Sequence, residues 1–187
     1  MNTRRGAKTR TGQAQENQFL CRHCRRPVFT LTEVSGVRSR NHCPYCLHSR
    51  HLDLFEAGDR LSACKGVMMP IGLTRKQTRK KYNPHSGELL LIHMCQECGK
   101  LAINRMARDD DAPLIYEHFL ASWKLPDDLR CLLARQEIDL LGKADDTFVT
   151  QCLFGQGGFN QPDFWMPEQD VFNPVYTALM MQPDTGR

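Results

Sequence analysis

The residues most clearly suited to chemistry are four cysteines near the start of the chain. They form two Cys-x-x-Cys pairs, Cys21 with Cys24 and Cys43 with Cys46, and eighteen residues separate the pairs. A Cys-x-x-Cys turn directs two thiolates at one point, and a second turn beside it completes a tetrahedron of sulfurs around Zn²⁺. The spacing therefore predicts a four-cysteine zinc site within a zinc ribbon.

Whether these thiols bind metal depends on the redox compartment. The first twenty residues are polar and basic, without the apolar core of a signal peptide. Cysteines in a reducing compartment stay available for metal instead of forming disulfides. No apolar run reaches the roughly 18–20 residues that a membrane span needs. We therefore expect a cytoplasmic protein that binds metal and does not partner a membrane.

A third pair, Cys95 with Cys98, predicts a second zinc site that needs two further ligands. Cys64 is the third candidate. The fourth is either His51 or His93, and their spacing does not decide between them. Three cysteines and one histidine form a common structural zinc site, whereas an open site with three protein ligands would suit catalysis. The chain is thus predicted to bind two Zn²⁺ ions, both structural.

Positive charge is concentrated toward the start of the chain. The net charge is +8 over residues 1–50, +3 over 51–110 and −7 over 111–187. Such a distribution favours contact between the first half and a polyanion such as RNA. The candidate contacts flank the knuckles or lie in the basic segment 75–81: Arg22, Arg25, Arg26, Arg38, Arg40, Arg75, Lys76, Arg79, Lys80 and Lys81.

Short strands are predicted to position the cysteines. Residues 28–34 followed by Ser35-Gly36 predict a hairpin between the first two pairs. The apolar run 89–94 predicts a buried strand before the third pair, and the segment 101–105 predicts another strand after it. The basic segment 75–81 would then form the tip of a long hairpin.

From residue 112 the apolar spacing becomes helical, which predicts three helices ending near residues 123, 140 and 154. Cys131 and Cys152 lie among apolar residues of these helices and are predicted to be core thiols. The fold class is α+β, a small β-rich zinc-ribbon domain followed by a short helical region. We predict a disordered basic arm at 1–17, the zinc-ribbon domain at 18–111, and a helical, proline- and aromatic-containing region at 112–187.

The segment Arg40-Asn41-His42-Cys43-Pro44 resembles the motif of the RNHCP domain family. The resemblance covers about residues 18–111 and extends to further matching groups: Cys21-x2-Cys24, Ser49-x-His51-x-Asp53, Gly58-Asp59-Arg60, Cys64, Met69-Pro70-Ile71, His93-x-Cys95-x2-Cys98-Gly99 and Asn104-Arg105. It implies a zinc-ribbon-like module whose cysteines bind metal, and it implies no particular activity.

Three functions fit these features. The first is a zinc-binding adaptor that binds RNA through its basic face, in a ribosome or another ribonucleoprotein, with a protein partner on the helical region. The second is a metal-dependent nucleic-acid hydrolase that uses His51, Asp53, Asp109 and Asp110. The third is a zinc-dependent protein-interaction module. We favour binding over catalysis because carboxylates and histidines beside zinc knuckles commonly support the metal ligands.

Overall fold

The computed structural model describes residues 17–77 and 87–155. Several predicted features lie outside these described residues. They are residues 1–16 of the basic arm, the cations Arg79, Lys80 and Lys81, and the proline- and aromatic-containing segment after residue 155.

Strands come first along the described chain and helices follow. A small sheet pairs β1 (Gln18–Leu20) with β2 (Pro27–Phe29), and a one-turn helix follows, α1 (Thr32–Ser35). A larger antiparallel sheet has its strands in chain order: β3 (Ser49–Arg50), β4 (Val67–Gln77), β5 (Gly87–Cys95) and β6 (Leu101–Arg105). Three longer helices follow: α2 (Ala112–Ser122), α3 (Asp127–Arg135) and α4 (Asp146–Phe154). The predicted α+β class is confirmed.

The strands around the third cysteine pair are also confirmed. The apolar run 89–94 lies in β5, and its residues from Leu89 onward are buried. The segment 101–105 coincides with β6, which pairs with β5. Strands β4 and β5 pair as the predicted long hairpin, and Arg75 and Lys76, predicted in its tip, lie in β4. Residues 78–86 are outside the described part of the chain.

The hairpin predicted at residues 28–34 is wrong. Strand β2 ends at Phe29, and α1 follows it. Gly36 has a φ of 73°, and its backbone N–H donates to the Thr32 carbonyl over 2.7 Å. A left-handed glycine at this position is typical of a helix end. Strand β2 instead pairs with β1, so the first knuckle lies within a hairpin and not before one.

Helices α2, α3 and α4 pack against the larger sheet through two apolar clusters. The first joins β4 and β5 to α2 and α4 through Leu73, Leu91, Ile115, Phe119 and Val149. The second joins these strands to α3 and the segment after it through Ile71, Ile92, Leu129, Leu133 and Ile138. Complete burial of one such side chain contributes about 1.5–3 kcal/mol. The helices therefore stabilise the larger sheet, whose strand β5 ends at Cys95 of the third cysteine pair.

The glycine at position 72 permits this close packing. A Cβ atom at Gly72 would lie 2.6 Å from Cδ1 of Leu140 and 3.1 Å from Cβ of Ser122. The register of β4 on β5 also shifts between Pro70 and Gly72. A side chain here would force the helical region away from the strand.

Two details of the helices differ from the sequence prediction. The second helix ends at Arg135 instead of reaching residue 140, because Glu137 takes a φ of 56° and ends the helical path. Cys131 and Cys152 are exposed, so the prediction of two core thiols is wrong. In α3 the buried residues are Leu129 and Leu133, and Cys131 midway between them points to the opposite face. Within the described ranges, no helix is long and apolar enough to cross a membrane.

Candidate metal centres

The first knuckle is a tight turn closed by two backbone hydrogen bonds. The N–H of Cys21 donates to the carbonyl of Arg26 over 2.9 Å, and the N–H of Arg25 donates to the carbonyl of Cys21 over 3.0 Å. Arg25 has a φ of 63°, in the left-handed region. The turn links β1 to β2, and it directs both cysteines of the pair to one side.

The second and third knuckles repeat this arrangement. The equivalent bonds are Cys43 N to His48 O, Leu47 N to Cys43 O, Cys95 N to Lys100 O and Gly99 N to Cys95 O. In every knuckle the residue four positions after the first cysteine is left-handed, with φ of 56° at Leu47 and 72° at Gly99. Only Gly99 takes this conformation without steric cost. The fully buried Leu47 is held there by the core.

The first two knuckles bring four sulfurs together in a first centre. Sγ of Cys21 lies 3.6 Å from Sγ of Cys46, and Sγ of Cys24 lies 3.6 Å from Sγ of Cys43. All four sulfurs lie within 4.8 Å of one another. Two bonds of about 2.3 Å at a tetrahedral angle separate their sulfurs by about 3.8 Å, whereas a disulfide would hold them at about 2.05 Å. The four cysteines could hold one zinc ion, as predicted.

A second centre combines the third knuckle with Cys64 and His51. Sγ of Cys64 lies 3.7 Å from Sγ of Cys95, and Sγ of Cys98 lies 3.3 Å from Nδ1 of His51. These four ligand atoms also lie within 4.8 Å of one another. Three sulfurs and one imidazole nitrogen match a structural zinc site. The protein thus has two clusters that could hold two zinc ions.

Strand pairing positions the second centre. His51 follows β3 directly, and its backbone N–H donates to the carbonyl of Gly66 over 2.9 Å, which places it beside the start of β4. Cys95 is the last residue of β5. A Cβ atom at Gly66 would lie 3.0 Å from Sγ of Cys95 and 2.5 Å from Cγ of Glu97. The glycine therefore lets the Cys64 loop approach the third knuckle.

Local electrostatics favours the metal-binding forms of two ligands. Burial lowers the pKa of His51, so its ring stays neutral, and a neutral imidazole is the form that binds metal. The backbone N–H of Lys100 hydrogen-bonds to Cys98 and lowers the pKa of that thiol. Thiolate, not thiol, is the metal ligand.

The structure brings His51, and not His93, to the second centre. His93 is fully buried, with Nε2 2.7 Å from the carbonyl oxygen of Leu47 and Nδ1 3.0 Å from Nδ2 of Asn104. Both ring nitrogens are therefore occupied. Burial lowers the pKa of His93 to about 3, which keeps the ring neutral. The ring ties the left-handed residue of the second knuckle to β5.

The predicted nucleic-acid contacts differ in their exposure. Arg22, Arg25, Arg26 and Arg38 are exposed, as is Lys76. Arg75 is half-buried, with its guanidinium 5.0 Å from the centre of the Phe148 ring. Arg79, Lys80 and Lys81 lie outside the described residues.

Arg40 does not fit the prediction of a nucleic-acid contact. Its side chain has no exposed surface, and its guanidinium binds the carboxylates of Asp109 and Asp110 at 2.7 and 3.0 Å. Its Nε also donates to the carbonyl of His42. Each nitrogen of the guanidinium binds a protein oxygen and the side chain is fully buried, so Arg40 cannot reach a phosphate and is structural.

Within the described part of the chain, the residues of the predicted hydrolase form no shared cluster that could hold a metal. His51 belongs to the second centre, and the carboxylate of Asp53 accepts hydrogen bonds from the backbone N–H groups of Gly58 and Arg60. Asp110 is paired with Arg40. Among the described residues, none of the clusters able to hold a metal contains a carboxylate.

Sequence reasoning missed one cluster beside the first centre. The rings of His23 and His48 stack in parallel at 3.6 Å, and both lie near Cys46. Nδ1 of His48 is 2.9 Å from the Cys46 carbonyl, and burial lowers the pKa of His48 to about 4. The lone pairs of parallel rings do not converge on one point, so this pair packs against the knuckle. No sequence pattern indicated the stack.

Comparison with known proteins identifies the module. No curated protein and no solved structure gave a match. A family model described as the RNHCP domain matches residues 16–116, more than half of the chain. The match includes every ligand of both centres and ends within α2. The chain belongs to the RNHCP domain family.

Proposed function

We propose that this chain is a zinc-binding structural adaptor that binds RNA through the basic face of its first knuckle, within a ribosome or another ribonucleoprotein. The observation that carries the proposal is the conformation of Arg25.

Arg25 occupies a backbone position that disfavours an arginine. Its φ of 63° is left-handed, and Gly99 takes the equivalent position of the third knuckle. A left-handed conformation costs a residue with a side chain roughly 1 kcal/mol or more, and costs glycine very little. Packing explains Leu47 at the second knuckle, but Arg25 is exposed. Backbone strain without a packing reason supports a role in binding.

The neighbouring arginines are held in place around the same turn. The guanidinium of Arg26 lies 5.1 Å from the centre of the Tyr45 ring, and Arg22 donates to the Lys65 carbonyl over 3.0 Å. Side chains fixed in this way lose less conformational entropy on binding. Arginines can contact phosphates with two hydrogen bonds and can stack on exposed bases. A metal-clamped turn would therefore present them as a preformed surface.

The test is the salt dependence of RNA binding, measured by fluorescence anisotropy with a single-stranded RNA. The wild-type chain should bind less tightly as salt rises. Arg25→Gly should weaken binding several-fold and reduce the slope of log K against log salt by about 0.7, the value for one phosphate contact on a single strand. The same change should raise the unfolding free energy by about 1 kcal/mol, because it relieves the strain.

Arg105→Gln is the matched control, because Arg105 is exposed and pairs with Glu88 outside the knuckles. It should leave affinity and slope unchanged. The zinc content of Arg25→Gly separates two roles for Arg25. If Arg25 contacts RNA, the variant keeps two zinc ions per chain. If its charge only balances the four thiolates, the variant loses zinc. Equal binding by wild type and Arg25→Gly, or no binding by wild type, would contradict the proposal. Salt-sensitive sedimentation of the full chain with ribosomes would support the ribonucleoprotein setting.

A further inference from the structure

A cavity of about 190 Å³ lies beside the second centre. Residues 52–57 form one side, and the third knuckle and β6 form the other. Its lining includes Asn41, Arg50, Phe55, Lys100, Ile103 and Asn104. Asp53 and Glu56 also line it, so the lining combines two cations, two carboxylates, two amides and apolar side chains. Its volume is below the 300–1,000 Å³ typical of drug-sized ligands, so it suits a smaller group.

The loop that carries Phe55 is rigid. The carboxylate of Asp59 accepts hydrogen bonds from the backbone N–H groups of Leu54, Phe55, Glu56 and Leu61 at 2.8–3.0 Å. These bonds lower the pKa of Asp59, so the carboxylate stays ionised. The Phe55 side chain is 83% exposed on this fixed turn. A large aromatic ring held in water at the rim of a cavity is available to stack on a ligand.

Arg50 and Lys100 line the cavity, and further cations lie just outside it. Lys100 Nζ donates to the Leu54 carbonyl, and Lys65 Nζ donates to the Arg60 carbonyl over 2.9 Å. Arg22 donates to the Lys65 carbonyl over 3.0 Å. Arg50 and Lys100 are the lining cations that could attract a phosphate, because the Asp53 carboxylate is already bound to backbone N–H groups.

The wall also contains polar atoms that lack partners within the described residues. Oδ1 of Asn41 is a buried acceptor and Nε of Arg50 is a buried donor, and neither has a hydrogen-bond partner there. Burying such atoms unpaired is unfavourable. Neither atom is accessible from the cavity as the side chains stand, so a ligand edge with donors and acceptors could pair with them only after the wall opens.

We propose that this cavity binds one unstacked nucleobase of a single-stranded RNA, with the base on the Phe55 ring and the adjoining phosphates near Arg50 and Lys100. This inference rests on the proposed function, because it assigns a second contact to the same RNA. Phosphate attraction and aromatic stacking together are the usual means of holding a single strand. A duplex keeps its bases stacked internally and cannot insert one.

The experiment compares Phe55→Ala with Leu61→Ala. Leu61 is 63% exposed on the same loop and does not line the cavity, so it is a matched control. Phe55→Ala should weaken binding of a single-stranded RNA roughly 5- to 150-fold, the range for loss of one stacked base. The salt slope should not change, because no charge is removed. Leu61→Ala should bind the single strand as tightly as the wild type does, and Phe55→Ala should not change the affinity for duplex RNA. Phe55→Trp should bind the single strand as the wild type does, because tryptophan also offers a ring for stacking.

The outcomes separate the two proposals. If the wild-type chain binds no RNA, both are overturned. If binding depends on Arg25 but Phe55→Ala behaves like Leu61→Ala, only the base-binding cavity is overturned. An equal loss on single-stranded and duplex RNA would also overturn it, because a stacked base is specific to a single strand. Both variants should contain two zinc ions per chain, which shows that the fold is intact.

Discussion

Arg40 and Asp110 form a buried ion pair, with Nη2 of Arg40 3.0 Å from Oδ1 of Asp110. The pair joins the segment before the second knuckle to the connection between β6 and α2. Asp110 also accepts hydrogen bonds from Nε2 of His42 and the backbone N–H of Ala107, at 2.7 and 2.6 Å. The arginine and the histidine of the Arg-Asn-His-Cys-Pro motif thus meet on one carboxylate, which explains their place beside the knuckle without a role in catalysis.

Loss of this carboxylate should be strongly destabilising. Asp110→Ala leaves the buried Arg40 guanidinium without one of its two charged partners, and breaking such a pair typically costs 3–5 kcal/mol. Glu88→Ala is the control, because it removes an exposed pair in which Arg105 is 68% exposed, and such pairs contribute about 0–1 kcal/mol. Urea unfolding measures both. A similar small cost for the two variants would show that the buried pair does not hold the knuckle.

A second prediction concerns the ligand histidine. The wild-type chain should contain two zinc ions, and His51→Ala should contain one, because it removes Nδ1 from the second centre. His93→Gln should keep two zinc ions although it is destabilising, since His93 binds Leu47 and Asn104 instead of metal. Metal analysis of the purified proteins gives the counts. One zinc in His93→Gln and two in His51→Ala would reverse the assignment.

Removal of both metals should unfold the β-rich half, because structural zinc contributes directly to folding. The signal is loss of the folded circular dichroism spectrum on addition of a chelator. Retention of that spectrum in a zinc-free sample would contradict the structural role of both centres.

The cysteine ligands could be predicted from sequence because a Cys-x-x-Cys turn is local, and its hydrogen bonds span five residues. The choice between His51 and His93 could not be predicted from sequence, because it depends on how β3 pairs with β4 and on the partners of His93. Arg40 was misassigned for the same reason: its partner Asp110 lies 70 residues further along the chain. The exposed ring of Phe55 follows from the conformation of one loop, which no periodicity indicates.

The error at residues 28–34 has a different cause. Val28 and Phe29 lie in β2, as their strand propensity predicts. Propensity does not show which strand pairs with β2. The first knuckle reverses the chain, so β1 becomes its neighbour. The residues after Phe29 therefore have no strand to pair with, and Gly36 ends a short helix instead.

The last prediction concerns the acid side of the stability profile. Burial in α2 lowers the pKa of His118 to about 4, whereas a histidine in the unfolded chain has a pKa of about 6.5. Between these values the unfolded state binds about one more proton than the folded state, so stability falls as the pH drops from 6.5 toward 4. Above pH 6.5 both states are neutral and this contribution does not change.

His118→Gln should therefore flatten the fall in stability between pH 6.5 and pH 4. The measurement is urea unfolding of both chains at pH 7.5 and at pH 5.5. Zinc release at low pH lowers the stability of both chains alike, because His118 belongs to neither centre, so the difference between the chains isolates the histidine. Parallel profiles for the two chains would mean that His118 titrates normally, and that α2 leaves its ring accessible to water.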